Sequence, residues 1–436
     1  MDIVVIGAGY VGLVAATCLA DSGHNVTCVE SNPDKLAVLN RGVSPIREMQ
    51  LDDILVECLR NGRLDFADRI PTPLTADVVV VAVGTPSTQT GATDLSQVNT
   101  AAEQIALAAD RPLVVAMKST VPPGTGMRIY RRYFEGTPIS YVSNPEFLRE
   151  GRAVWDWRNP SRIVIGATDE SAARTVQQLY EGIEAPVLVT DVTSAEAIKY
   201  AANAFLVTKI SFINEIASLC DVVGAHIDDV ATGIGLDSRI GPEFLRAGLG
   251  YGGSCFPKDA RGLDFAALYN GYDFRLLKST IEVNMKQRVR AVRNLKSMLG
   301  DLEGAEVAML GLAFKPDTDD VRESPALGIA HLLHDEGCSI RTCDPAAAEN
   351  ARPYLPADTV VCRDIYEATA GTRGLMLVTE WDEFVNADWE AIYKGMQSPH
   401  AVLDGRNALS QEDLTALGFK YCGIGRRTTS SMVAML

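Results

Sequence analysis

The chain has 436 residues and a formal net charge of −16, long enough for about three domains and too acidic for a broad nucleic-acid or anionic-membrane surface, which needs a cationic field. Its nine cysteines include no C-x-x-C pair, a usage that fits neither a disulfide framework nor a zinc ribbon. The start lacks a basic signal region and the longest apolar run, near residues 78–83, is far too short to span a bilayer, so the expected setting is soluble, reducing and cytoplasmic.

Residues 2–7 read as an apolar strand running into Gly7-Ala8-Gly9-Tyr10-Val11-Gly12, and the apolar stretch from Leu13 to Leu19 continues as a helix until Asp21-Ser22-Gly23. A second strand, Asn25–Val29, ends on Glu30. Strand, glycine turn, helix, strand and acid are the parts of a dinucleotide fingerprint in the required order. Gly7 permits the turn, Gly9 lets a pyrophosphate approach, and Gly12 lets the helix pack on the strand. Glu30 can accept hydrogen bonds from the adenosine ribose diol and repels a 2′-phosphate, which predicts NAD rather than NADP. Lys35 can reach the same ribose, or it is a solvated helix residue.

Further strands at residues 76–83 and 113–117 end in polar turns, Gly84-Thr85-Pro86 and Lys118-Ser119-Thr120-Val121-Pro122-Pro123-Gly124. Ligands of open parallel sheets bind beyond the carboxyl ends of the strands, so Thr85 and Thr120 are expected in the cofactor crevice, although turn-stabilising threonines would read the same. In Asn144-Pro145-Glu146-Phe147-Leu148-Arg149-Glu150-Gly151, Pro145 is expected to open a helical turn that sets Glu146 and Glu150 on one face. Two acids so placed suit proton handling, or simply solvent.

No proline or glycine interrupts the chain between Thr193 and Val223, and the apolar spacing predicts a long helix that can join two domains and pack against a second copy. Lys199 and Asn203 share a face near its start; the lysine is either a salt-bridged group or an oxyanion stabiliser. A segment with Arg239, Phe244 and Leu245 leads into Gly250-Tyr251-Gly252-Gly253-Ser254-Cys255-Phe256-Pro257-Lys258-Asp259. This loop delivers Cys255 to the expected first turn of a helix, with Pro257 fitting the first helical position. A thiol at a helix N-terminus can have its pKa drawn from ~8.5 into a range of about 3.5–7.5, which makes a nucleophile. Asp259, on the same helical face, can handle a proton or a water. A structural cysteine beside a glycine turn fits the loop as well. Another helix is expected near residues 276–299.

After Asp301 an α/β pattern begins again, with strands at 307–310, Ser339–Cys343, 375–379 and 401–403 and a last one near Tyr421. The first is followed by Gly311-Leu312-Ala313-Phe314-Lys315, without the three-glycine spacing. This half is therefore read as a worn copy of the first that holds no second dinucleotide. Its strand ends present Lys315, Arg322 and Arg406, which read as an anion clamp in preference to surface salt bridges.

Taken together, these motifs resemble the UDP-glucose/GDP-mannose dehydrogenase family, most closely its UDP-glucose branch, and the resemblance runs over essentially the whole chain. It rests on the fingerprint, Val83-Gly84-Thr85-Pro86, the Lys118 to Gly124 and Asn144 to Glu150 runs, Lys199 with Asn203, the Gly252 to Asp259 run, and Phe314-Lys315 through Arg322-Glu323-Ser324-Pro325. The resemblance implies an α/β architecture: two Rossmann-like doubly wound domains joined by a long central helix in a helical dimerisation region. The divisions are an NAD-binding domain at 1–193, a central region with the cysteine loop at 194–299, and a nucleotide-sugar-binding domain at 300–436. It implies oxidation of a nucleotide-sugar C6 alcohol, UDP-glucose to UDP-glucuronate, by a homodimer using NAD, without metal, nucleic acid or membrane, through a cysteine thiohemiacetal and thioester. GDP-mannose or another nucleotide sugar is the alternative substrate. A two-electron hydroxyacid dehydrogenase and a non-catalytic NAD sensor are the alternative classes.

Carried over by position, the resemblance makes Cys255 the nucleophile and Lys199 and Asn203 oxyanion stabilisers. Asp259 and Thr120 would organise proton transfer or water, with Glu146 a general acid or base. Cofactor contacts would come from Gly7, Gly9, Tyr10, Val11, Gly12, Glu30, Lys35, Thr85, Thr120, Glu150 and Arg322. Substrate contacts would come from Glu146, Phe147, Leu148, Arg149, Glu150, Lys199, Asn203, Phe244, Leu245, Tyr251, Gly252, Lys315 and Arg406, with Arg239 supplied across the dimer. The chain departs from the family at Arg47-Glu48-Met49-Gln50, where aromatic-Glu-Pro-Gly is usual.

Overall fold

The computed structural model describes residues 1–426. They form two compact units, one of Met1–Ala202 with Arg261–Tyr272 and one of Asn203–Ala260 with the chain from Asp273 onward.

In the first unit, β1 (Asp2–Ile6), β2 (Asn25–Val29), β3 (Leu64–Ala67), β4 (Val78–Val81), β5 (Leu113–Met117), β6 (Ile139–Ser143), β7 (Ile163–Ala167) and β8 (Val187–Thr190) make one sheet ordered β3-β2-β1-β4-β5-β6-β7-β8. All neighbours are parallel except β6 and β7. Side chains of a strand alternate between faces, and β1 shows why the sheet is covered on both. Ile3 and Val5 enter a core with Leu13, Val14 and Leu19 of the Tyr10–Asp21 helix. Val4 and Ile6 enter another with Val98, Ala102 and Ile105 of the Ser96–Ala108 helix. The strand order reverses between β1 and β4, so the turns after those strands flank the crevice where doubly wound sheets bind ligands.

The second unit holds β9 (Glu306–Leu310), β10 (Ser339–Cys343), β11 (Val360–Val361), β12 (Gly374–Leu377), β13 (Ala401–Asp404) and β14 (Lys420–Gly423), ordered β11-β10-β9-β12-β13-β14 and parallel throughout. This repeats the order of the first six strands of the other sheet. Leu295 of the Arg275–Leu299 helix and Ile329 and Leu333 of the Pro325–Asp335 helix pack into its core.

The long helix predicted after Thr193 is present as Val192–Val223, and the helix after the cysteine loop as Phe256–Tyr269. Pro257 is its second residue rather than its first. Pro145 opens no helical turn: residues 144–149 are irregular. The N–H groups of Leu148 and Arg149, which a helix would direct to preceding carbonyls, donate instead to the carboxylates of Glu146 and Asp156, at 2.6 and 2.9 Å. No helix among the described residues is long and apolar enough to cross a membrane.

Candidate active site

The fingerprint turn leaves β1 at Gly7, whose φ is +98°. A Cβ on Gly12 would lie 1.8 Å from the Gly7 carbonyl oxygen, so helix and turn meet with no room for a side chain. At Gly9 a Cβ would meet nothing within 4 Å, which leaves open space at the start of the Tyr10–Asp21 helix. Glu30 closes β2 and accepts the Asn32 N–H at 2.8 Å. Asn32 in turn accepts from the N–H groups of Asp34 and Lys35, starting the short helix on which Lys35 stands exposed. Open space at a helix N-terminus followed by a carboxylate at the next strand end fits a dinucleotide. Tyr10 hydrogen-bonds the Glu48 carboxylate through its hydroxyl, which also accepts the Gly151 N–H at 2.5 Å. The departing 47–50 segment is thereby tied to the glycine turn.

Two further turns complete this end of the first sheet. Thr85 is buried in the turn after β4. After β5, Ser119 Oγ donates to the Val83 carbonyl at 2.8 Å, which links the turn carrying Thr120 to the one carrying Thr85. Lys118 is buried, donating to Tyr180 Oη at 2.7 Å and Asn144 Oδ1 at 3.0 Å, with its ammonium 5.1 Å from the Trp157 ring centroid. Glu146 and Lys199 are both buried and form an ion pair of 3.1 Å. Arg149 is bound to Asp156, while the guanidinium of Arg162 lies 3.6 Å from the Phe147 ring centroid. A cavity of about 10 Å³ is bordered by Ser119, Thr120, Ser143, Pro145, Glu196 and Lys199. The structure thus brings Thr120, Lys199 and the Glu146 loop together in the first unit. Leu148 and Glu150 lie on that loop, half-buried.

The cysteine loop belongs to the second unit. Gly253 has a φ of +85°, and a Cβ there would lie 2.8 Å from the Phe314 ring. Two buried asparagines hold the loop from neighbouring helices. Asn284 takes both backbone groups of Tyr251, accepting its N–H at 2.7 Å and donating to its carbonyl at 3.1 Å, and Asn214 accepts the Gly248 N–H at 2.8 Å. Cys255 immediately precedes the Phe256–Tyr269 helix, and its carbonyl accepts the Asp259 N–H at 2.9 Å. Its Sγ lies 3.4 Å from Ser254 Oγ, and the residue is partly exposed. Burial pushes up the thiols of Cys18, Cys28, Cys58, Cys220, Cys338, Cys343, Cys362 and Cys422, which suits those eight to packing. Asp259 is 1% exposed; its carboxylate accepts from Asn203 Nδ2 at 2.6 Å and from Lys258 Nζ at 2.6 Å.

The remaining candidates of this unit divide. Arg322 supplies the carbonyl that accepts the Gly253 N–H at 3.0 Å, while its guanidinium is paired with Asp320 and largely exposed. Arg406 donates to the carbonyls of Val378 and Phe314 and lies 3.3 Å from a Glu380 oxygen. Lys315 Nζ stands 5.6 Å from the Phe314 ring centroid. Phe244, with a φ of +63°, packs its ring 6.2 Å from that of Phe256, which the Tyr251 ring meets edge-on at 6.3 Å. Leu245 is buried, and Gly252 abuts the Glu323 carbonyl. Arg239 is bound to Asp237 on an exposed turn. The sequence reading missed Lys118, Glu196, Asn214 and Asn284. Lys118 lay inside a noted motif, but the others carry no local signal beyond a polar residue on an otherwise apolar helix face.

Comparison with known proteins gives the site a context. Residues 1–184 match the NAD binding domain of the UDP-glucose/GDP-mannose dehydrogenase family, residues 193–286 its central domain and residues 308–411 its UDP binding domain. A UDP-glucose 6-dehydrogenase, TuaD, of Bacillus subtilis (strain 168) is 44% identical over 97% of this chain and 93% of its own length. One from Rhizobium meliloti (strain 1021) is 44% identical over 98% of this chain and 100% of its own. A solved UDP-glucose dehydrogenase from Pyrobaculum islandicum superposes with a TM-score of 0.91 at 38% identity, covering 98% of each chain. Matched in order by all three domains, and near full length by these relatives, the chain belongs to the UDP-glucose/GDP-mannose dehydrogenase family.

Proposed function

We propose that the chain oxidises UDP-glucose to UDP-glucuronate in two steps, with Cys255 carrying the substrate between them. The observation that carries this reading is Cys255 at the start of a helix, one turn before a buried Asp259 that already holds Asn203. The relatives' substrate is taken as that of this chain. NAD would be held by Gly7, Gly9, Tyr10, Val11, Gly12, Glu30, Lys35, Thr85, Thr120, Glu150 and Arg322, and when bound it supplies acceptance of a hydride in each oxidation.

The first oxidation turns the C6 alcohol into an aldehyde, its hydroxyl proton leaving through Glu146 or through a water ordered by Asp259 and Thr120. The aldehyde carbon has no comparable second hydride to give. Addition of the Cys255 thiolate to C6 forms a C–S bond and an alkoxide, which the Lys199 ammonium and the Asn203 amide stabilise. This thiohemiacetal loses the second hydride and becomes a thioester; water then adds, the C–S bond breaks, and the sulfur leaves as thiolate while the protons pass to solvent. The Glu146 loop, Phe244, Leu245, Tyr251, Gly252, Lys315 and Arg406 would bind the nucleotide sugar.

A homodimer belongs to this reading, with Arg239 reaching a second copy's site. Its support is the long helix, on which Phe205, Phe212 and Leu219, spaced by seven, are each at least half exposed. The functional divisions follow as residues 1–193, 194–299 and 300–436. The test is stoichiometric. Limiting UDP-glucose with excess NAD should yield two NADH per sugar, and Cys255→Ala should form no UDP-glucuronate. One NADH per sugar, or normal uronate from that variant, would refute the mechanism; faster turnover of GDP-mannose would reassign the sugar.

A further inference from the structure

We propose that Glu196 is a positioning residue for the oxidation proposed above, on which this inference rests: its carboxylate grips two backbone N–H groups where the loop after β5 enters the Thr125–Ile129 helix and so holds Thr120 beside Lys199. Glu196 is 2% exposed on the long helix, and its two oxygens accept the Gly124 and Gly126 N–H groups, each at 2.6 Å. Both bonds are short, and each oxygen has its own donor. The fit leaves no slack: a Cβ on Gly126 would lie 2.7 Å from Glu196 Oε1 and as close to the Tyr141 ring.

The grip reaches Thr120 through a short, stiff span. Pro122 and Pro123 have fixed φ angles, and the Pro122 carbonyl accepts the Thr125 N–H at 3.0 Å. On the other side of Thr120, Ser119 is bound to β4 and the turn after it, its N–H donating to the Val81 carbonyl at 3.0 Å and its hydroxyl to Val83. Thr120 therefore sits between two anchors. Glu196, Lys199 and Thr120 border the same small cavity, and Glu196 and Lys199 are three residues apart on one helix face. Lys199 pairs with Glu146, whereas Glu196 commits both oxygens to the loop.

Burial pushes the Glu196 carboxyl up to about 8, against the pull of the Gly126 and Gly124 N–H groups and of Arg128. The charged and titratable groups around it are Arg128 from the Thr125–Ile129 helix, Tyr141 from β6, and Lys199 on its own helix with Glu146 behind it. The ionised form offers lone pairs at both oxygens, while a proton on one weakens its hold. Turnover should therefore rise as pH climbs through about 8.

The test compares wild-type enzyme with Glu196→Gln, which keeps the shape but turns an NH₂ toward one of the two N–H donors. Expected is a kcat loss of about 10- to 100-fold, with the KM for UDP-glucose within about twofold and the rise near pH 8 flattened. By hydrogen exchange, the Gly124 and Gly126 amides should exchange on the order of tenfold faster. An unaltered kcat and pH profile would overturn the proposal, as would a lowered melting temperature with full kcat per folded molecule, which marks a purely structural contact. Glu196→Asp, one methylene short of the loop, should not restore kcat; if it does, the grip is not what matters. Absence of NADH from the wild type would sink the functional reading itself, and this role with it, whereas an active wild type beside an unaffected variant removes Glu196 alone.

Discussion

Gln50 has a φ of +67° immediately before the Leu51–Arg60 helix, at a position where the family usually has glycine. A side chain in the left-handed region costs about 1–2 kcal/mol, offset in part by the larger unfolded-state entropy of glycine. Gln50→Gly should therefore stabilise the chain by about 0.5–1 kcal/mol in urea unfolding, without changing KM for NAD, because Glu48 keeps its bond to Tyr10. The Glu146–Lys199 pair allows a sharper separation of roles. Lys199→Met strands a buried carboxylate and should cost about 3–5 kcal/mol; adding Glu146→Gln should return most of that stability and none of the activity. Recovery of turnover in the double variant would show the pair to be structural only. At this scale the sequence made the residue types legible and their partners not. Asn203 and Asp259 were each singled out, yet the 2.6 Å bond joining them spans 56 positions of chain. Glu196 escaped because its partners are backbone N–H groups, which leave no trace in composition.

Elements were legible where an apolar run stopped abruptly at a motif. β1, β2, β4, β5 and β9 were found this way, since each ends at the turn that carries functional residues. β3, β6, β7, β8 and β11 were passed over; they have two to five residues, and of them only β6 delivers such a turn, the Glu146 loop, whose motif was noted without the strand before it. The helical turn at Pro145 failed for a physical reason, because the Glu146 and Asp156 carboxylates captured the N–H groups it needed. The long helix was predicted from its unbroken apolar spacing, and its outward Phe205 and Phe212 carry a prediction of their own. If the proposed homodimer forms through this face, Phe205→Asp with Phe212→Asp should give monomers by sedimentation or light scattering while leaving the helical content intact. A dimer that persists would place the interface elsewhere.

Over the whole chain, the α/β class and the recurrence of a parallel sheet were readable, whereas the interleaving of the two units was not. Residues 261–272 come just after the cysteine loop in sequence yet belong with the first unit, an assignment that only long-range packing makes. The recurrence goes deeper than strand order. Gly7 leaves β1 with a φ of +98° and would press a Cβ 2.8 Å from the Ala82 oxygen; Gly311 leaves β9 with a φ of +95° and would press one 2.7 Å from the Thr379 nitrogen. Counterparts of Gly9 and Gly12 are missing after Gly311. What the second sheet retains of the signature is the glycine a backbone requires in order to turn, and what it lacks are the glycine that lets a pyrophosphate approach and the one that lets the helix close on the strand. The triplet of glycines is thus three instructions written in one alphabet, and the halves of this chain show them coming apart.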